Sequence, residues 1–158
     1  MLLFCGQERC QMDASGRIRL SSKFAADFMQ ECQGQVVMHG LPEGALALYP
    51  EAVYREMRRR EMPAGQEALN FAARRTMRRF GALTREETIT AQGRVTIPPM
   101  FREYAELKAG SEICVVGVEI GVELWNPQRY AAEMEKIRQH MQSREAMEMK
   151  QDLNGGTL

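Results

Sequence analysis

The chain has 158 residues, balances 21 Lys and Arg against 21 Asp and Glu, and is 44% hydrophobic and 7% aromatic. No apolar run approaches the roughly 18 residues that span a membrane, residues 1–5 are too short for a signal peptide, and four scattered cysteines with two histidines form neither a disulfide framework nor a zinc site. A cytoplasmic protein with reduced thiols, no metal and no cofactor is expected.

In chain order, Gln11-Met12-Asp13 enters a turn at Ala14-Ser15-Gly16, and Arg17-Ile18-Arg19-Leu20 leaves it as a strand with one wet face. Glycine suits a left-handed turn position, and the Asp13 carboxylate can accept backbone N–H groups within the turn. A helical segment follows from Ser22, with serine as its cap. Next come two apolar strands, Gln35-Val36-Val37-Met38 and Ala45-Leu46-Ala47-Leu48-Tyr49, and Pro50 then opens a helix. Residues 51–80 hold eight arginines against four glutamates. They are predicted to form two helices broken at Pro63-Ala64-Gly65. In the second, Leu69, Ala73, Met77 and Phe80 form an apolar stripe beside Arg74, Arg75, Arg78 and Arg79.

From there the pattern repeats. Thr90-Ala91-Gln92-Gly93-Arg94-Val95-Thr96-Ile97 restates residues 13–20 at an offset of 77, Phe101 answers Phe24, and Glu112-Ile113-Cys114-Val115 answers Gln35-Val36-Val37-Met38. Leu124-Trp125 answers Leu48-Tyr49 one position closer, a slip that a loop absorbs and a paired strand does not. Pro98-Pro99 starts the second copy's helix where Ser21-Ser22 starts the first. A last helix follows Asn126-Pro127, with Tyr130, Met134, Ile137 and Met141 on one stripe that is read as core or subunit seam. The expected organisation is a first β unit at 3–50, a helical connector at 51–80, a second β unit at 81–126, a C-terminal helix at 127–152 and a disordered tail at 153–158. Units of this size bury too little surface alone, so the two should share one core in an α+β fold.

Nothing in the sequence assembles a catalytic constellation, and no enzyme activity is expected. His39, beside a strand-end glycine, reads as structural or solvated, and the Arg55 to Arg60 cluster as a solvated helix face. Arg17 and Arg94 have two readings. Each closes its own turn through a nearby carboxylate, which Asp13 supplies for Arg17 alone. Alternatively, a two-stranded ribbon presents both, with Arg19, to a DNA groove, where arginine donates two bonds to guanine.

The doubled turn, the run 93–107 and Glu123-Leu124-Trp125 before a proline-opened helix resemble the MraZ family over roughly residues 3–142. The resemblance implies a regulator of the division and cell wall gene cluster whose fold is similar to AbrB and MazE: two tandem swapped-hairpin β units forming one small barrel with peripheral helices. It further implies a homo-oligomeric ring, associated with the nucleoid, that reads short promoter repeats in double-stranded DNA through Asp-x-x-x-Arg loops. Carried onto this sequence, those loops are Asp13 with Arg17, and Thr90 with Arg94. Thr90 stands where the family has aspartate, so the copies are unequal and Arg17→Ala is expected to be the worse single change. The competing reading is a protein-interaction module of antitoxin type that uses the same fold without reading DNA.

Overall fold

The computed structural model describes residues 1–61 and 70–155. The predicted break at Pro63-Ala64-Gly65, Leu69 of the predicted stripe and residues 156–158 lie outside the described residues. One compact unit runs from Met1 to Asn126, and the chain from Pro127 onward forms a second.

The first copy contributes β1 (Gln7–Gln11), β2 (Arg17–Arg19), α1 (Ser22–Cys32), β3 (Gln35–Gly40), β4 (Leu46–Pro50) and α2 (Glu51–Glu61). After α3 (Phe71–Ala82), the second contributes β5 (Thr84–Thr88), β6 (Arg94–Thr96), α4 (Pro99–Ala105), β7 (Glu112–Gly117) and β8 (Val122–Trp125), and α5 (Pro127–Gly155) closes the chain. The helix starts differ between copies as their sequences require. Ser21 Oγ accepts the Phe24 N–H at 3.3 Å to cap α1, whereas α4 opens on Pro98-Pro99 with no side-chain cap.

Six strands form one antiparallel sheet in the order β1-β7-β8-β4-β3-β5. Each copy's first strand pairs with the other copy's third: β1 lies on β7 with Gln11 opposite Glu112, and β5 lies on β3 with Thr88 opposite Gln35. The central strands are largely apolar, Leu46–Pro50 being buried at every position. The edge strands QERCQ and TREET keep polar and charged residues outward, which blunts an exposed sheet edge.

The expected barrel is not closed. β1 and β5 end the ladder at opposite edges, and β2 and β6 stand apart as a ribbon of three residues each, pairing only with one another. These strands are too short to bridge the sheet's edges, because each begins straight out of a glycine turn and a helix starts three residues after its end.

Equivalent residues of both copies meet in one hydrophobic core: Ile18 and Val95, Leu20 and Ile97, Phe24 and Phe101, Leu48 and Leu124. Burying each large side chain stabilises by about 1.5–3 kcal/mol. Asp27, only 2% exposed, accepts the Phe4 N–H at 3.0 Å and the Lys23 ammonium at 2.7 Å, so the buried carboxylate ties down the N-terminal segment.

His39 is buried against α2 and α3. Its ring stacks on Phe80 at 4.9 Å and lies 2.9 Å from Thr84 Oγ1 through Nδ1. Within α5, no residue is buried, so Met134, Ile137 and Met141 are not core of this chain, and the helix runs on to Gly155 beyond the boundary expected at 152.

Candidate nucleic-acid interface

The two Gly-Arg turns have the same backbone. Asp13 N–H donates to Arg17 O and Gly16 N–H to Asp13 O; Thr90 N–H donates to Arg94 O and Gly93 N–H to Thr90 O, all at 2.8–3.1 Å. The glycines sit in left-handed conformation at φ +83° and +86°, giving three-residue loops of turn-plus-bulge type. Each turn also clasps the other copy: Gly16 O accepts the Ile97 N–H and Gly93 O accepts the Leu20 N–H, both at 2.8 Å. Side chains are excluded there for a second reason, since a Cβ on Gly93 would sit 2.6 Å from Leu20 O.

The capping side chains differ in reach. Asp13 Oδ1 accepts from Ser15 N at 2.9 Å, Arg17 N at 2.9 Å and Ser15 Oγ at 3.1 Å, while Thr90 Oγ1 accepts only the Arg94 N–H, at 3.0 Å. The Arg17 N–H foremost holds the Asp13 carboxyl below its ordinary range, ahead of the Ser15 groups and the Arg17 charge. Asp13 therefore grips the backbone of Arg17. Among the described residues neither the Arg17 nor the Arg94 guanidinium makes an ion pair or hydrogen bond. The reading in which Arg17 closes its turn by side-chain pairing with Asp13 does not hold.

The turns deliver these arginines to one surface. In the β2–β6 ribbon, Arg17 faces Thr96, Ile18 faces Val95 and Arg19 faces Arg94. Ile18 and Val95 are 2% and 3% exposed, and the flanking positions on both strands point to solvent. Thus Asp13, Arg17, Arg19, Thr90 and Arg94 are all exposed and gathered at one ribbon. Arg19 is also tied across it, its Nε donating to Gln92 O at 3.3 Å.

A groove of about 800 Å³ runs between the ribbon and β5, lined on one side by Arg17 and Arg94 and on the other by Glu86 and Glu87. Burial pushes the Glu87 carboxyl up, against the pull of Arg85 at 2.9 Å. The groove thus offers an entering anion two arginines and two carboxylates together.

Two features of the site were not legible in the sequence. Thr96 stands opposite Arg17, and Arg102 of α4 lies beneath the first turn, where a Cβ on Gly16 would come within 2.8 Å of its guanidinium carbon; Ala25 is the equivalent neighbour of Gly93. Only the pairing of β2 with β6 brings these residues to their turns.

The family model described as "MraZ protein, putative antitoxin-like" matches residues 82–154. The chain is 34% identical over 137 residues to the transcriptional regulator MraZ of Corynebacterium kroppenstedtii, covering 85% of this chain and 90% of that protein. The chain belongs to the MraZ family. The protein of the same name from Bifidobacterium longum is 36% identical over 138 residues, and that from Pseudoalteromonas translucida 30% over 133, each covering at least 84% of both chains. The likeness to these relatives extends over 84–85% of the chain and so reaches both copies of the repeat. Among its described residues no group of three His, Cys, Asp or Glu is placed to hold a metal, and no helix is long and apolar enough to cross a membrane.

Proposed function

We propose that this MraZ-family chain is a non-enzymatic, sequence-specific DNA-binding transcriptional regulator, and that its β2–β6 ribbon is the reading head. The observation that carries the proposal is the ribbon's two-faced character: Ile18 and Val95 anchor it to the core while Arg17, Arg19 and Arg94 project from the other face. A two-stranded ribbon fits the roughly 12 Å major groove, and arginine pairs with the O6 and N7 edge of guanine. The relatives' name, transcriptional regulator MraZ, supports the same reading.

The exchange of first strands between copies supports kinship with AbrB and MazE swapped hairpins, in an open sheet. Three arginines on one ribbon make few base contacts, so affinity is expected to come from a homo-oligomeric ring that sets neighbouring ribbons on neighbouring promoter repeats through effective concentration. The target is the DNA upstream of the division and cell wall gene cluster, and the protein would reside with the nucleoid.

The test is binding of that promoter fragment, at fixed moderate salt, by wild type and the double variant Arg17→Ala/Arg94→Ala, with oligomer mass measured for both. A loss of preference for the fragment over a scrambled duplex supports the reading head. Unchanged affinity and preference would overturn it, and a stoichiometric protein partner with no DNA affinity would establish the antitoxin-type module instead.

A further inference from the structure

Among the described elements the strongest charge imbalance lies on α3, which is not part of the ribbon. Its sequence FAARRTMRRFGA holds four arginines and no acidic residue. The neighbouring α2 is different: Glu51 pairs with Arg55, Glu56 with Arg59 and Arg60, and Glu61 reaches across to Arg79.

On α3 the positions divide cleanly. Ala73 and Phe80 are buried. Phe71, Arg74, Arg75 and Arg78 follow the i, i+3, i+4, i+7 spacing of the opposite face, and all four are exposed. Phe71 is 63% exposed, with the Arg75 guanidinium 4.8 Å and that of Arg74 5.7 Å from its ring centre. Arg75 and Arg78 have no carboxylate partner among the described residues.

Such a face carries a cost. Like charges at i, i+3 and i, i+4 oppose the helix by a few tenths of a kcal/mol per pair, and cations near its N-terminal turn oppose the macrodipole. Among the described residues Arg75 has only the exposed Phe71 ring against it, and Arg78 has neither a ring nor a carboxylate partner. An anionic partner removes both penalties at once.

We propose that the Phe71, Arg74, Arg75, Arg78 face of α3 is a second DNA contact, one that grips phosphates without reading bases. It rests on the reading of this chain as a DNA binder. Duplex DNA suits it better than an acidic peptide because Arg74, Arg75 and Arg78 span about 6 Å of helix axis, the length over which one strand presents about two phosphates, with no need for a particular sequence. The exposed Phe71 ring lies against the guanidinium groups of both Arg74 and Arg75.

The experiment compares wild type with Arg75→Gln/Arg78→Gln on two duplexes of equal length, the promoter fragment and a scrambled sequence, from 50 to 200 mM salt. Losing two phosphate contacts flattens the log Kd against log salt slope by about 1.8 and weakens both duplexes by the same factor, so that preference between them is kept. Arg75→Lys/Arg78→Lys restores the slope. Unchanged affinity and slope would overturn the proposal. So would a weakening that follows a change in oligomer mass, which makes this face a seam between copies, or one confined to the promoter fragment, which makes it a base reader. The ribbon's role is judged separately, since its variants change preference between the duplexes whether or not α3 grips phosphate.

Discussion

Arg94 lies directly across the β2–β6 ribbon from Arg19, whereas Arg17, its counterpart in the other copy, faces Thr96. The two halves of the ribbon are therefore unequal in charge, one with a pair of arginines and the other with a single one. Asp13 and Thr90 do not account for this, because both hold the backbone N–H of their arginine and neither holds its guanidinium.

Removing Arg94 leaves Arg19 in the same half of the ribbon, while removing Arg17 leaves its half without a cation. Arg17→Ala is expected to weaken promoter binding more than Arg94→Ala, by about tenfold if one bidentate base contact is lost. Fluorescence anisotropy at a single salt concentration measures both, and equal losses would show that the halves act alike.

Arg19 and Arg94 repel one another at a directly opposed position, a term worth about 0.2–1 kcal/mol and weakened by salt. Arg19→Thr, which copies the Arg17–Thr96 arrangement, loses the Arg19 bond to Gln92 O but relieves the repulsion. A rise in denaturation midpoint at low salt is expected, shrinking as salt is added, together with weaker DNA binding. A lower midpoint at every salt concentration would mean the Gln92 bond outweighs the repulsion.

Gly93 needs its lack of a side chain twice over, for φ +86° and for the approach of Leu20 O. Gly110 shares the conformation, at φ +81°, but a Cβ there meets nothing within 4 Å. Gly110→Ala should cost the left-handed penalty of roughly 1–2 kcal/mol. Gly93→Ala should cost more, because the backbone clash forces the clasp between copies apart. Urea denaturation compares the two directly, and equal costs would deny the clasp its importance.

His39 is held below its ordinary pKa by burial first and by the Arg79 cation second, against the upward pull of the Leu83 backbone and Glu61. A base depressed in the folded state is protonated more readily when unfolded. Its contribution is complete above the unfolded value near 6.5 and is lost as pH falls through 6.5 toward the folded value. Wild type should lose stability between pH 7.5 and 5.5, and His39→Gln should be less stable at pH 7.5 but flatter across the interval. An equally steep fall in the variant would assign the pH dependence to other groups.

The repeat made much of this architecture legible in the chain itself. A glycine before an arginine and an alternating strand, recurring once at an offset of 77, specifies two like turns, since left-handed backbone and period-two burial are local properties. Phe24 with Phe101 and Leu48 with Leu124 marked a core common to both copies for the same reason. The five exposed residues Asp13, Arg17, Arg19, Thr90 and Arg94 could likewise be named from spacing and likeness, because turn and strand positions carry their exposure with them.

What lay opposite them could not. Strand pairing joins residues 75 to 79 positions apart, and nothing local distinguishes Thr96 from Arg19 as the neighbour of Arg17, or places Arg102 beneath Gly16. An open sheet with β1 and β5 at its edges, in place of a closed barrel, was equally a matter of which backbone groups found partners over long range. The sequence by itself determined two matched turns, their arginines and the apolar strands that anchor them, because each depends on a few consecutive residues. Only the tertiary structure decided that the arginines share one ribbon, with unequal neighbours, because long-range hydrogen bonding sets the register.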